Sequence, residues 1–398
     1  MGKLKALDEN ANINGKRILV RVDLNVPIKD NKVTDDSRIK KIIPILRELI
    51  LRNSKIILIS HLGRPKGKYD KKLSLEPISQ ILEKLLNTKV HFSNEVTGLA
   101  VIEKSNKINS GEILLIENIR FHKDEELNRS SFAKDLSKLG DIYINEAFSC
   151  AHRAHASVCE ITNHMDSYAG KLLIEEVDVI NSLNESAKIP ISYIIGGSKI
   201  STKIGVLSNL VKRIQNIIIV GAMANNFIKY KGFNIGKSLF EENQEKTIEQ
   251  IINMCKKNDC KLLIPEDVVV AKDLDSKGKI KILKDVGDED LILDIGKKTT
   301  QNILKVIDES KTVLWNGPAG YFEVKQFSHA SNKIAQKICK NTKNKSLISI
   351  AGGGDTVAAI NMFECSGGFT YISTAGGAFL ELLEGKILPG IKALEINE

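Results

Sequence analysis

Apolar and β-branched residues along this chain come in short runs, each ending in a polar or glycine-rich turn. The runs lie at 18–22, 56–59, 113–116, 142–144, 191–195, 217–220, 262–264, 313–315, 347–351 and 370–372. Their shortness and unbroken apolar character predict strands buried on both faces. Between them, apolar residues recur at helical spacing over 39–52, 75–86 and 332–339. Strands alternating with helices predict an α/β chain of doubly wound, mostly parallel sheets. In open sheets of this kind ligands sit at the carboxyl ends of strands. The polar clusters after the runs are therefore expected to converge in space, however far apart in sequence.

The first cluster is Arg21-Val22-Asp23-Leu24-Asn25-Val26-Pro27. Side chains alternate along a strand, so Arg21, Asp23 and Asn25 can share a face, with Asp23 and Asn25 able to hydrogen-bond a hydroxyl. Arg38 follows Thr34-Asp35-Asp36-Ser37, a capping sequence, and falls in a helical first turn, where a cation is poorly placed unless an anion approaches. His61-Leu62-Gly63-Arg64-Pro65 follows the next strand. Glu117-Asn118-Ile119-Arg120-Phe121 comes third, and the fourth cluster runs from Asn145 and Glu146 into Ala151-His152-Arg153-Ala154-His155. Each alone reads as an ordinary strand-end turn. His152 and His155 have no third ligand close in sequence, and neighbouring cations disfavour a metal. Five arginines with His61 around one pocket fit a small polyanion better.

Gly170 precedes a helical stretch over 171–186, with Pro190 beyond it, which suits a helix joining two domains. The second half opens with Gly196-Gly197-Ser198-Lys199-Ile200-Ser201-Thr202-Lys203. Two lysines four apart can share a helix face and reach one polyphosphate. Gly221-Ala222-Met223, Pro265-Glu266-Asp267, Trp315-Asn316-Gly317-Pro318 and Ser373-Thr374-Ala375-Gly376-Gly377 follow later runs. The stretch Ser349-Ile350-Ala351-Gly352-Gly353-Gly354-Asp355-Thr356 reads as strand, glycine turn and helix start. Such a turn bares N–H groups toward phosphate, and Asp355 offers an oxygen to Mg²⁺.

Composition narrows these readings. A length of 398 residues suits two domains, and 42% hydrophobic with 27% charged residues is ordinary for a soluble globular protein. No apolar run approaches the ~20 residues of a membrane span, and the first residues lack a signal peptide's apolar core. Six cysteines without C-x-x-C spacing suggest reduced cytoplasmic thiols. The net charge of +9 raises nucleic-acid binding, but the lysines are interleaved with acids throughout and aromatics are only 5%. Arginine is distributed differently: nine of ten precede residue 154, and six of the seven histidines precede residue 165. The first half is thus equipped for a polyanion. A nucleotide-binding dehydrogenase would need G-x-G-x-x-G, which is missing here.

Together the motifs R-V-D-x-N-V-P, H-L-G-R-P, E-N-x-R-F, A-H-R-A-H-A-S, G-G-x-K-I-S-x-K, W-N-G-P-x-G-x-F-E and G-G-G-D-T resemble the phosphoglycerate kinase family, in the family's order and across nearly the whole chain. The resemblance implies reversible phosphoryl transfer between ATP and the carboxylate of 3-phosphoglycerate, giving ADP and 1,3-bisphosphoglycerate. It implies two domains facing across a cleft: 1–169 with a returning tail 385–398 for 3-phosphoglycerate, a helix over 170–186, and 187–384 for the nucleotide. Asp23, Asn25, His61, Leu62, Gly63, Arg64, Arg120 and Arg153 would bind 3-phosphoglycerate. Arg38 would also meet the transferred group, with Lys203, Gly353 and Gly376 as its catalytic companions. Lys199, Lys203, Gly296, Asn316, Glu323, Gly353, Gly354, Asp355 and Thr356 would line the nucleotide site, with Asp355 on Mg²⁺. A cytoplasmic monomer without nucleic-acid or membrane partners is expected.

The acceptor carboxylate is ionised at neutral pH, so no general base is needed, and the work is positioning, charge neutralisation and exclusion of water. The chain departs from the usual pattern at Glu146 for Asp, at Ser149-Cys150 for a Gly-Thr-like pair, at Ala222 and Ala375 for glycine, and at Lys297 for proline. Ala375 is expected to alter its turn, since alanine disfavours positive φ.

Overall fold

The computed structural model describes residues 2–30 and 32–396, leaving positions 397 and 398 of the expected C-terminal tail outside the description. The chain divides into two compact units, Met1–Asp178 with Ile387–Glu398, and Val179–Lys386.

In the first unit six parallel strands lie in the spatial order Val90–Ser93, Ile113–Ile116, Lys55–Ile59, Arg17–Arg21, Ile142–Asn145 and Ser167–Ala169. Alternate residues go to opposite faces. Ile18, Val20, Ile56 and Leu58 pack with Ile39 and Leu46 of the helix Ser37–Leu51 on one side. Leu19, Ile57, Ile59 and Leu114 pack with Val101, Phe132 and Leu136 on the other. Both faces are dry, so both sets must be apolar, which is why the strands read as unbroken runs.

The second unit repeats the plan, with parallel strands in the order Lys261–Leu263, Asn216–Ile219, Ile191–Ile195, Thr312–Asn316, Ile348–Gly352 and Tyr371–Ser373. Its core centres on the fully buried Trp315 with Ile194, Val313 and Ile334. In both sheets the clusters singled out in the sequence follow the carboxyl ends of strands.

Three features go beyond the sequence reading. The short edge strands Val90–Ser93 and Ser167–Ala169 are half polar and carry no apolar run. An antiparallel sheet of Lys279–Ile282, Asp267–Ala271 and Leu291–Ile295 also went unforeseen. Its outer strand alternates lysine with exposed isoleucine, and its central strand begins at Asp267, which reads as a polar turn. Asp267 is instead a buried cap, accepting from the N–H groups of Lys298 (2.9 Å) and Thr299 (2.8 Å) at the start of the helix Lys297–Glu309. Finally, Asp36 precedes the helix Ser37–Leu51 without a side-chain capping bond, and it is Asp35 that accepts from Ser37 N, at 2.9 Å.

The tail returns to the first unit. Lys5 N donates to Leu394 O (2.9 Å), Ile396 N to Lys3 O (2.9 Å) and Gly390 N to Ala151 O (2.8 Å). Leu388, Ile391 and Leu394 are buried. The division between units falls within the helix Lys171–Glu185.

Glu146 joins the strand Ile142–Asn145 to this helix. Its Oε1 accepts from Leu172 N at 3.1 Å, while the buried Oε2 has no hydrogen-bond partner. Gly170 makes the room, since a Cβ there would stand 1.6 Å from Oε2. Burial, helped by the charges of Glu48 and Glu175, pushes the Glu146 carboxyl up to about 7. The folded chain therefore holds this proton at pH values where the unfolded chain has released it. The stabilising contribution is complete below the unfolded value near 4.5 and is lost as pH rises through about 7. Glu146→Gln should remove that loss. Urea titrations between pH 5 and pH 8 should show the variant gaining on the parent by on the order of 3 kcal/mol at most, and a constant difference across the range would refute this account.

Candidate functional site

At the carboxyl end of the first sheet, the strand Arg17–Arg21 leads into Asp23 and Asn25. Arg38 Nη1 donates to Asp23 Oδ2 at 2.8 Å and to Asn25 O at 3.1 Å. Asn25 Oδ1 accepts from Gly63 N (2.9 Å), and Gly63 O accepts from Arg120 Nη1 (3.0 Å). The polar turns of three strands are thus tied into one cluster. Arg153 lies close enough for its charge to act on Arg120 and His155, and its Nε donates to His152 Nε2 at 3.1 Å. Arg64 is exposed. The Leu62 side chain is in the core, and its carbonyl accepts from Asn118 Nδ2 at 2.7 Å.

Arg21 does not line the cluster but lies beneath it, fully buried. Its Nε donates to Ser157 Oγ (3.0 Å), Nη1 to Val22 O, and Nη2 to His61 Nδ1 (3.1 Å). A guanidinium only donates, so His61 Nδ1 is the acceptor and the ring proton sits on Nε2. Burial and the neighbouring Arg21 hold His61 well below its ordinary range. Burial, with Arg120 and Arg21, pushes His155 down to about 3. Both of these rings are neutral at pH 7.

Glu125 balances Arg21 from below. Fully buried, it accepts from Ser157 N (2.9 Å) and Ser157 Oγ (2.6 Å). Sequence reading missed it because it sits in a run of charges that looks solvated. Glu117 and Asn118 of the third motif also serve the scaffold. Glu117 accepts from Ser74 Oγ (2.7 Å) and Leu75 N (2.9 Å), just before the helix Glu76–Leu86.

The second unit builds a different kind of site. A cavity of about 530 Å³ is bounded by Gly197, Gly221 and Ala222, by apolar residues such as Leu239, Val268 and Ile292, and by Glu323 and Asp355. Beside it, Lys203 Nζ donates to Asn316 Oδ1 (2.7 Å), and Asn316 Nδ2 donates to Gly352 O (2.6 Å). Gly317 N donates to Thr356 Oγ1 at 2.7 Å, locking this turn to the helix Gly354–Met362. Burial lowers the Lys203 ammonium, opposed by Glu384 and Asp355. Lys199 and Asp355 are exposed.

Glycine is required at Gly353 and Gly296 among these turns. Gly353 has φ +99°, and a Cβ there would stand 2.5 Å from Asn316 Nδ2. Gly376 abuts the same turn, its notional Cβ 3.7 Å from Gly353 Cα and Gly354 N. Gly296 is the residue before the helix Lys297–Glu309, where a side chain would strike Asp267. The expectation about Ala375 is corrected. Its φ is −101°, which alanine adopts without the strain of positive φ, and Ala222 at φ −65° is equally at ease.

Among the described residues, no group of three His, Cys, Asp or Glu side chains could hold a metal ion. Asp355, a hard oxygen donor in a helical first turn, nevertheless fits Mg²⁺, which takes one or two carboxylates and completes its shell with waters and phosphate oxygens.

A family model described as phosphoglycerate kinase matches residues 8–386. The phosphoglycerate kinase of Chelativorans sp. (strain BNC1) is 42% identical over 397 residues, covering 99% of this chain and all of that protein. That of Rhizobium meliloti (strain 1021) is 43% identical over 392 residues, covering 98% of each. Among solved structures, phosphoglycerate kinase from Coxiella burnetii superposes with a TM-score of 0.87 at 38% identity, covering 98% of this chain and 99% of that one. The enzyme from Pyrococcus horikoshii gives 0.83 at 28% identity, with 97% of both covered.

The glycine turn generates a physical prediction. Gly353→Ala should displace Asn316 and, with it, Lys203, destabilising the protein by about 2 kcal/mol or more. Gly354→Ala, with nothing within 4 Å of its Cβ, should change stability by only about 0.5 kcal/mol. Equal thermal shifts for the two variants would contradict the packing described.

Proposed function

The chain belongs to the phosphoglycerate kinase family, and from that premise we propose that the arginine cluster of the first unit holds 3-phosphoglycerate while the glycine-lined cavity of the second holds the nucleotide. The protein transfers a phosphoryl group reversibly between ATP and 3-phosphoglycerate. The observation that carries the residue assignment is the hydrogen-bonded joining of Asp23, Asn25, Arg38, Gly63 and Arg120 at the ends of parallel strands.

In this reading Arg120 and Arg153, with Arg64 at the rim, take the phosphate that does not react, as bidentate forks. Asp23 and Asn25 take the hydroxyl, and neutral His61 contributes a hydrogen bond rather than a charge. The attacking carboxylate needs no base. What opposes reaction is repulsion between two anions, and Arg38 relieves it on one side while Lys199, Lys203 and the N–H groups of 353–356 relieve it on the other. Gly376 keeps the second glycine turn close to the first. Asn316 orients Lys203, and Glu323, Gly296 and the apolar walls of the cavity receive the nucleoside. Asp355 would hold Mg²⁺, which when bound neutralises charge on the phosphate oxygens. Transfer requires the two units to bring their ligands together, so we propose that they close during turnover about the helix over 170–186, between domains at 1–169 with 385–398 and at 187–384.

We further propose a cytoplasmic monomer. No described helix is long and apolar enough to cross a membrane, and all six cysteines are free, as expected of cytoplasmic thiols.

Two experiments separate the roles. Arg120→Ala removes a contact equal in ground and transition states and should chiefly raise KM for 3-phosphoglycerate. Arg38→Ala should lower kcat by roughly 10³-fold with little change in KM, and Arg38→Lys should rescue it poorly because an ammonium cannot reproduce the fork. Near-normal kcat with raised KM in Arg38→Ala would make it one more binding arginine. Asp355→Asn should weaken ADP binding with Mg²⁺ present by roughly tenfold or more and leave 3-phosphoglycerate binding intact. A calorimetric titration with unchanged Mg²⁺ dependence would reduce Asp355 to a helix-terminal residue.

A further inference from the structure

Asp23 carries two kinds of hydrogen bond. Oδ1 accepts from Asn25 N at 3.0 Å, a fixed backbone donor. Oδ2 accepts from Arg38 Nη1 at 2.8 Å and also from Ser149 Oγ at 2.5 Å. Ser149 lies 126 residues along the chain from Asp23, and nothing in the motif around it signals the meeting. We propose that Ser149 is a positioning residue for Arg38, sharing the Asp23 carboxylate and keeping it hydrogen-bonded when the guanidinium swings to an anionic ligand. This rests on the reading of Arg38 given above.

The Ser149 backbone has little freedom. It sits in the short turn Phe148–Cys150, between side chains that are 2% and 3% exposed. Ala147 N donates to Asn145 Oδ1 (3.0 Å), and Cys150 N to Ala147 O (3.0 Å). The next residue, Ala151, accepts from Gly390 N of the returning tail at 2.8 Å. Only the side-chain rotamer of Ser149 is left to choose, and it points at Asp23.

The energetics follow from burial. The Asp23 side chain is 14% exposed, the Arg38 side chain 30%. A largely buried carboxylate oxygen that loses a cationic donor pays a desolvation penalty unless another donor stays. Arg38 is the donor that must move, and the serine hydroxyl is the one that stays. By drawing on the same lone pairs, the hydroxyl also weakens the hold of Asp23 on Arg38. With alanine at 149, Asp23 would grip Arg38 harder and be left barer by its departure, so the barrier to delivering Arg38 rises. Ground-state binding of 3-phosphoglycerate through Arg120 and Arg153 is untouched.

The test is a double-mutant cycle in steady-state kinetics with 3-phosphoglycerate and Mg-ATP, on variants whose thermal melts match the parent. Ser149→Ala should lower kcat roughly 5- to 20-fold with KM for 3-phosphoglycerate within about twofold. Ser149→Thr, which keeps the hydroxyl, should recover kcat to within about threefold. In an Arg38→Ala background, adding Ser149→Ala should change kcat by less than about twofold, because the residue it acts through is gone. The same fractional loss in both backgrounds, a change confined to KM, or an unaltered kcat in Ser149→Ala while Arg38→Ala is slow would each overturn the role of Ser149 and leave that of Arg38 standing. A near-normal kcat in Arg38→Ala would overturn the reading of Arg38 itself, whatever Ser149→Ala does.

Discussion

Arginines gathered at one place repel one another unless each charge is met or spread, and the first unit is organised around that constraint. Arg21, Arg38, Arg120 and Arg153 gather at one end of one sheet, in surroundings that screen charge poorly. Three of them are countered, each differently. Arg21, fully buried, is balanced by Glu125 through Ser157. Arg38 rests on Asp23. Arg120 meets Glu126 at 3.5 Å and a backbone carbonyl at 3.0 Å. His61 and His155, set among them, respond by staying neutral. Two buried arrangements, Glu125 with Ser157 and Glu117 with Ser74, look incidental in sequence but hold this array in place.

The second unit solves a related problem with backbone instead of side chains. A polyphosphate needs several donors at close range, and N–H groups can approach only where no Cβ intervenes. Hence the glycine turns after four strands meet in pairs, Gly196 against Gly317 with no room for a Cβ and Gly376 against Gly353 at ordinary contact distance. Lysines join from the side, Lys203 being steered by Asn316. In the proposed reading, one domain plan, repeated, would hold one anion by guanidinium forks and the other by bare peptide groups.

The strands of both parallel sheets were legible because burial on two faces leaves an unmistakable apolar run, and the helices between them because their apolar spacing is regular. The antiparallel sheet was not, since its outer strand Lys279–Ile282 is exposed and alternates lysine with isoleucine, and its apolar stretches at 268–271 and 291–293 follow polar or charged residues that read as loop. Strand ends 22, 220 and 264 were placed one residue too far, where apolar character outlasts the ladder. In the site, arginine and glycine announced themselves by type and position. Glu125 and Ser149 did not, because glutamate in a charged run and serine in a loop are ordinary surface residues until folding buries or aims them.

What the sequence determined by itself was the class of fold and the family, and it supplied the residue types on which the proposed anion chemistry rests, since each depends on residue types repeated at characteristic places in the chain. The tertiary structure alone decided which groups meet. It put Arg21 beneath the cluster rather than on its face, made the histidines neutral, turned Glu117 and Asn118 into scaffold, relieved Ala375 of the strain expected of it, and brought Ser149 to Asp23. Those outcomes depend on desolvation and on contacts between residues tens to more than a hundred positions apart, and no local pattern of residue types encodes either.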